Sequence, residues 1–395
     1  WQQRRDNLMQ FLQPLIGAVQ NFVEDNAAVA GAEAQLEQLF AIFAALCDSM
    51  DQQPTFPRVL LADALRPSLD AALQLFDATV TEAQPVTLPV WRTILRFICA
   101  AFRTLKNQLG VDEIARIAGG FVQLFRGGSD DDSRLAAMVA QAGDNEMCES
   151  VLNAFLEMLV EIAGEQKMRS LLPSVVEFVI DDIEPVLASA AGRDRFSLRQ
   201  TFYKLLYTLA LDHWQWLLEQ QLETSRFVGT GGGGSAASTT AWQAFDDNGG
   251  AKTNMLGAIL RCFVASLSTS HPRTMQQLLE HMRKLHEKKR LYESEFFVEY
   301  FAQPMLDTLL SALVDRTNDS VRDEIIDTVT AVSMATFAFY TDILPRFVRR
   351  NPDLSGDQRD ELLESFAPAD DVPTFKQRLQ RFCADCTFYS NQAAV

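Results

Sequence analysis

Three apolar segments near the end of the chain, separated only by short polar turns, constrain its fold more than any other feature. They cover residues 304–319, 321–332 and 337–349. Apolar residues recur in them at spacings of three and four, which predicts helices with one wide apolar stripe. The first stripe consists of Met305, Leu306, Leu309, Leu310 and Leu313. Because turns this short force neighbouring helices to pack antiparallel, the sequence predicts stacked helical hairpins.

A proline followed by apolar residues at helical spacing recurs upstream, at Pro14, Pro67 and Pro173, as it does at Pro304. Proline is tolerated in the first turn of a helix, so these prolines are expected where helices begin or bend. Units of about 40 to 47 residues built from two helices are typical of HEAT repeats. The predicted fold is therefore all-α, an α-solenoid or superhelix of HEAT-like antiparallel helical hairpins.

The composition favours a long packed interior over β-sheets. Hydrophobic residues make up 48% of the 395, with 27 Phe against only 6 Tyr. Apolar alternation at period two is hard to find over five or more residues, which excludes an α/β fold. The longest apolar span, residues 328–341, is well short of the roughly 20 residues that a membrane helix needs. We therefore expect a soluble chain without membrane insertion.

Cysteine usage and the start of the chain indicate a compartment. Cys47, Cys99 and Cys262 lie inside apolar stripes, as buried reduced thiols do in cytosolic or nuclear proteins. The sequence begins at Trp1 and shows no basic region followed by an apolar core, so no signal peptide is expected.

A glycine-rich segment over residues 225–250 interrupts the helical pattern and has the composition of a flexible loop or linker. HEAT-like repeats are expected over 1–224, and C-terminal repeats with a closing helix over 251–395. Residues 229–234 formally match G-x-G-x-x-G, and residues 249–253 loosely resemble a phosphate-binding loop. The first lacks the flanking strand that such a site needs, and the second has Ala251 and Asp246 where that loop requires glycine. No nucleotide or other cofactor is therefore expected.

No group of side chains predicts catalysis or metal binding, so the chain is not expected to be an enzyme. His281 and His286 are five residues apart and would point from different faces of a helix. Cys383 and Cys386 have the C-x-x-C spacing of redox and zinc sites, but no second pair accompanies them. Positions facing the core are the alternative for both thiols. The acidic pair at residues 370–371 is expected to lie on a solvated surface.

The charge favours basic protein partners. A formal net charge of −17 and a pI near 4.7 argue against nucleic acid, whose phosphates would repel the chain. Two acidic faces are candidate partner-binding sites: Glu177, Asp181 and Asp182, and Asp323, Glu324 and Asp327. Plain solubility is the alternative for each. Residues 281–290 are locally basic and offer either a second contact or a solvated helix face.

The last part of the chain carries the motifs that point to a family. They are residues 309–319, 323–326 and 337–347, then the run from Asp371 to Phe382, and Phe388–Tyr389. In this order they resemble the C-terminal repeats of nuclear exportins in the importin-β superfamily, particularly the branch that exports actin with profilin. The resemblance implies that Pro373 starts a closing helix, which Phe375, Leu379 and Phe382 dock onto the last hairpin.

This resemblance implies a nuclear transport receptor that moves between nucleus and cytoplasm. Such receptors hold protein cargo, in this branch actin–profilin, together with the GTP form of the small GTPase Ran, and they pass nuclear pore proteins. A HEAT-repeat scaffold or adaptor for a multiprotein complex, with no dependence on Ran, is the alternative. It would share the repeat period but not the closing helix.

Overall fold

The described residues are entirely helical apart from turns and loops, and they contain no strand. The computed structural model describes residues 2–24, 33–82, 88–126, 134–142, 145–219, 255–268, 271–316, 318–351, 354–369 and 371–393. The chain divides into two compact units, Trp1–Asp212 and His213–Val395. Consecutive helices stack on one another in each unit, as in an α-solenoid, so the predicted fold class is confirmed.

The first unit holds helices α1 to α11. They are α1 Gln2–Glu24, α2 Glu33–Ser49, α3 Thr55–Glu82, α4 Leu88–Leu109, α5 Val111–Arg126, α6 Arg134–Gln141, α7 Glu146–Ala163, α8 Leu172–Phe178, α9 Glu184–Ala188, α10 Ala190–Arg193 and α11 Phe196–Asp212. Helices α2, α4, α7 and α11 form one row in which each packs on the next, and α1, α3 and α5 form a second row. Helices α3 and α4 join the two rows.

Neighbours within a row run parallel. Phe43 of α2 meets Phe97 of α4 at 5.5 Å between ring centroids, and further along both helices Asp48 reaches Arg103 at 3.6 Å. Successive helices turn back sharply: Gly110 has φ +87° and is the single residue between α4 and α5. A left-handed backbone at that position favours glycine, because it carries no Cβ.

Aromatic contacts hold the interior of this unit together. Phe76 of α3 meets Trp91 of α4 at 4.9 Å and Phe125 of α5 at 5.7 Å between centroids. Phe125 stacks on Phe155 of α7 at 3.9 Å, and Phe155 meets Phe178 of α8 at 5.9 Å. The large share of Phe in the sequence therefore supplies a continuous apolar interior across five helices.

The second unit holds helices α12 to α19. They are α12 Met255–Leu267, α13 Pro272–Lys289, α14 Glu295–Tyr300, α15 Ala302–Val314, α16 Arg322–Ala335, α17 Leu344–Arg350, α18 Gly356–Ser365 and α19 Val372–Ala393. Residues 214–219 are also helical. Helix α15 packs on α12, α16 and α19, and α16 also packs on α13 and α19. The apolar stripe of residues 305–313 is buried at the centre of this group.

Prolines occupy two kinds of position. Pro173 and Pro304 lie in the first turns of α8 and α15, where the missing N–H needs no partner. Pro14 and Pro67 lie inside α1 and α3, so these two do not mark helix starts.

Two π-helical turns, Val179–Ile183 and Phe339–Ile343, were not predicted. Each leads directly into a helix with proline at its second residue, Pro185 in α9 and Pro345 in α17. Proline cannot donate to the carbonyl four residues earlier, which explains why the helix widens just before it.

The predicted boundaries around the glycine-rich segment lie outside the described residues, since 220–254 are not among them. The three-part division therefore stays a prediction. No helix within the described ranges is long and apolar enough to cross a membrane.

Candidate interaction surfaces

The first predicted acidic face surrounds the π-helical turn between α8 and α9. Asp182 accepts a hydrogen bond from Nε of Arg126 at 2.7 Å, and Glu177 lies 3.8 Å from the same guanidinium. That guanidinium also lies 5.5 Å from the centroid of the Phe178 ring. Arg126 therefore neutralises part of this face, and Asp181 is exposed without an ion pair to a described residue.

The second predicted acidic face lies at the start of α16. Asp323 and Glu324 occupy the first turn, where the positive end of the helix dipole stabilises carboxylates. Glu324 accepts a hydrogen bond from Nε2 of Gln276 at 2.9 Å, and Asp327 pairs with Nζ of Lys376 at 2.5 Å. Asp323 remains exposed. Two of the three carboxylates therefore hold neighbouring helices.

The structure places three of the six predicted carboxylates in each unit. Surface ion pairs contribute little to stability, with a median of about 0–1 kcal/mol. These ion pairs reduce the negative electrostatic potential that each acidic face presents to a partner. Partner binding by these residues stays a prediction, with Asp181 and Asp323 as exposed carboxylates that form no ion pair with a described residue.

The closing helix α19 begins at a well-defined N-terminus. Pro373 is its second residue, and Asp371 caps it by accepting from the Thr374 N–H at 2.9 Å and the Thr374 hydroxyl at 2.8 Å. These hydrogen bonds hold the pKa of the Asp371 carboxyl below its usual value. An aspartate directly before the first helical residue is a helix-start signal that the sequence contains and that was not predicted.

Three apolar side chains of α19, spaced four and three residues apart, attach this helix to the rest of the second unit. Phe375, Leu379 and Phe382 are buried. Phe375 lies 5.6 Å from the Phe339 ring and 5.5 Å from the Phe366 ring, and Phe382 also lies 5.5 Å from Phe366. Helix α19 therefore covers an aromatic cluster formed by Phe366, directly after α18, and Phe339 of the second π-helical turn.

Three basic side chains of the run at residues 281–290 pair with carboxylates close to them in sequence. Arg283 bonds to Glu280 at 2.7 Å and also pairs with Glu287, and Lys284 reaches Glu280 at 3.1 Å. Arg290 pairs with Glu293 at 2.6 Å. This arrangement favours a solvated helix face over a basic contact site.

The histidines of α13 lie in different surroundings. Burial, together with the charge of Lys284, lowers the pKa of His281 to about 4. Nδ1 of His286 accepts from the Tyr292 N–H at 3.3 Å, and its ring stacks on that of Tyr292 at 4.4 Å. Burial lowers the pKa of His286 as well. Both rings are therefore held in the neutral form.

Acidification should destabilise the second unit through His281. Its pKa is lower in the folded state than in the unfolded state, so folding favours the neutral ring, and that stabilisation is lost as pH falls from about 6.5 towards 4. Urea unfolding at pH 7 and pH 4.5 measures this loss. The variant His281→Gln should lose less stability between the two pH values, whereas an equal loss would assign the effect to other groups.

Cys383, Cys386 and Asp371 have the surroundings of structural residues. Cys383 and Cys386 are both buried, and burial raises the pKa of each thiol to about 12. This supports the alternative that they face the core. In the described part of the chain no group of three or more His, Cys, Asp or Glu could hold a metal ion. Asp371 of the acidic pair is a helix cap, and residue 370 lies outside the described ranges.

Comparison with known proteins gives consistent matches. Residues 209–392 match the family model described as Exportin-6, C-terminal TPR repeats. The chain is 24% identical over 360 residues to an exportin-6 of Danio rerio, covering 90% of this chain and 29% of that protein. It is 23% identical over 402 residues to an exportin-6 of Dictyostelium discoideum, covering 99% of this chain and 33% of that protein. No solved structure matches the chain.

A human exportin-6 is 21% identical over 357 residues, covering 90% of this chain and 29% of that protein. The chain thus spans about a third of the length of the curated relatives it matches. The family description names TPR repeats where the sequence analysis predicts HEAT-like repeats; both are stacked helical hairpins. Residues 209–392 are thus similar to the C-terminal repeats of the exportin-6 family, and the chain is similar to exportin-6 proteins along nearly its whole length.

Proposed function

We propose that this chain is part of a nuclear export receptor, which binds protein cargo cooperatively with Ran-GTP and carries it out of the nucleus. Actin–profilin is the proposed cargo, and nuclear pore proteins are further partners. The observation that supports this proposal is the match to exportin-6 proteins along about 90% of the chain. The protein would move between nucleus and cytoplasm.

The fold is suited to a carrier. In stacked repeats each helical pair contacts mainly its neighbours, so small rotations add up along the chain. Two ligands bound to different repeats can therefore influence one another through the same deformation. A carrier of this kind needs no catalytic residues of its own, because the energy for directional transport comes from GTP hydrolysis on Ran. We accordingly propose that the chain is not an enzyme.

The acidic faces would act mainly on the rate of cargo association. Asp181 and Asp323 are exposed, and exposed charges of one sign accelerate the encounter with an oppositely charged partner. In the full-length parent protein, Asp181→Lys or Asp323→Lys should slow cargo association at low salt by a few-fold and have little effect at high salt. Stopped-flow measurement against actin–profilin tests this expectation.

Asp360→Lys is the matched control, because it changes the net charge equally at an exposed position outside both faces. Equal slowing by all three variants would show that only the net charge matters. The two faces would then have no specific role in binding.

Depletion in cells tests the proposed function itself. Cells that lack the parent protein should accumulate actin and profilin in the nucleus, and the full-length protein should restore the normal distribution. An unchanged distribution after depletion would contradict the actin–profilin assignment.

A further inference from the structure

A groove runs along the first unit between α2 and α4, with one side chain contributed by α7. We call it the α2–α4 groove. Its α2 wall includes Ala34, Gln38, Ala41 and Ala45, and its α4 wall includes Arg92 and Arg96. It has a volume of about 750 Å³. From Ala34 to Asp48 the α2 wall covers about 20 Å at 1.5 Å per residue, the length of about four helical turns.

The α2 wall carries an exposed stripe of small or uncharged side chains, beside which the carboxylates of Glu37 and Asp48 also line the groove. Ala34, Gln38, Ala41 and Ala45 follow one another at spacings of four, three and four, and all are exposed. An exposed helix face is usually charged or polar, and this chain is 22% charged residues. Alanines in this position allow the backbone of another helix to approach closely, because the side chains at the contact set the distance between helix axes.

The α4 wall carries a row of arginines on one face. Arg103, at the far end, is fixed by Asp48 at 3.6 Å and by Glu161 of α7 at 3.1 Å. Arg92 and Arg96 lie one turn apart and form no ion pair with any described residue. The Nε atom of Arg92 is buried and has no hydrogen-bond partner in the described structure.

Arg96 is exposed and Arg92 is half-buried, so a partner can reach guanidinium nitrogens of both residues, although not the buried Nε atom of Arg92. A carboxylate is the acceptor that best matches the planar fork of arginine. Glu37 and Glu157 also line the groove, but neither lies within ion-pair distance of Arg92 or Arg96. The groove therefore offers two cations at one end and two separate carboxylates beside them.

We propose that the α2–α4 groove binds an α-helix of a partner protein. That helix would place two carboxylates one turn apart on Arg92 and Arg96 and pack a narrow face of small residues against the alanines of α2. Docking an amphipathic helix into a groove is a recurrent mode of recognition, in which anchors recur at spacings of three and four. Glu37 and Glu157 would favour a partner with basic residues at the matching positions and thereby fix its direction.

A synthetic helical peptide provides the probe. It is an alanine-rich peptide of 18 residues with a pair of glutamates four residues apart, and the comparison peptide carries glutamine at both positions. Fluorescence anisotropy measures the binding of each to the 395-residue chain. The glutamate peptide should bind about tenfold more tightly, because a carboxylate accepts stronger, charge-assisted hydrogen bonds from the two guanidinium groups than a neutral amide does.

Three variants test where the peptide binds. Arg92→Gln together with Arg96→Gln should abolish the preference for the glutamate peptide, whereas Arg169→Gln, an exposed arginine outside the groove, should leave it intact. Ala41→Gln should weaken both peptides by filling the groove without changing its charge. Circular dichroism verifies that each variant is folded.

Two results would overturn the proposal. One is equal binding, or equal absence of binding, of the glutamate and glutamine peptides by the unmodified chain. The other is a glutamate preference that survives in the folded double variant, which would place the contact elsewhere on the surface.

Discussion

Replacing Phe375 by alanine should destabilise the second unit by about 3–5 kcal/mol, the range found for removing a fully buried aromatic side chain. Phe375 is 0% exposed and lies 5.6 Å from the Phe339 ring and 5.5 Å from the Phe366 ring. It is also the first apolar anchor of α19, so the cavity would open where the closing helix attaches. Loss of these ring contacts adds to the loss of buried area.

Urea unfolding measures the stability of the 395-residue chain. Hydrogen exchange of the α15, α16 and α19 amides measures the stability of the second unit separately. Phe388→Ala is the control, because Phe388 lies on the same helix and is 58% exposed. It should change stability by less than about 0.5 kcal/mol. Equal effects of the two substitutions would mean that α19 is not docked through Phe375.

Leu310→Ala should cost about 2–5 kcal/mol in the same unit. Leu309 and Leu310 are both 0% exposed, and their helix α15 packs against α12, α16 and α19. The surroundings of Leu310 belong to several helices that hold one another in place. Collapse into the cavity is therefore restricted, and the cost should lie well above that of an exposed position.

Met334→Ala provides the comparison, because Met334 is 43% exposed at the end of α16. Its urea midpoint should stay close to that of the unmodified chain. A midpoint for Leu310→Ala that coincides with that of Met334→Ala would show that the α15 stripe does not lie in the packed interior.

Helices and their buried faces could be predicted because both depend on local spacing. The stripe that contains Leu309 and Leu313 is visible in the sequence, and both residues are 0–1% exposed in the structure. The two π-helical turns were missed because apolar periodicity does not distinguish them from α-helix. Their signal was the following proline, Pro185 or Pro345, which removes one N–H donor.

Interaction surfaces were harder to predict because long-range partners decide which charges remain accessible. Arg126 meets Asp182 across 56 residues of sequence, and Lys376 meets Asp327 from the closing helix. No local pattern indicates either pair. The accessibility of Arg92 and Ala41 in the α2–α4 groove likewise depends on how α2 and α4 pack. Sequence spacing gives the face of each helix but not the neighbour that covers it.

The most direct test of export-receptor function is to measure how tightly the full-length parent protein binds actin–profilin. The measurement is made with and without Ran held in its GTP form. An export receptor should bind actin–profilin much more tightly when Ran-GTP is present, and by linkage it should bind Ran-GTP more tightly when cargo is present. Cargo binding that is the same with and without Ran-GTP, or absent in both cases, would contradict that function. A helical-repeat scaffold without Ran dependence would then be the better description.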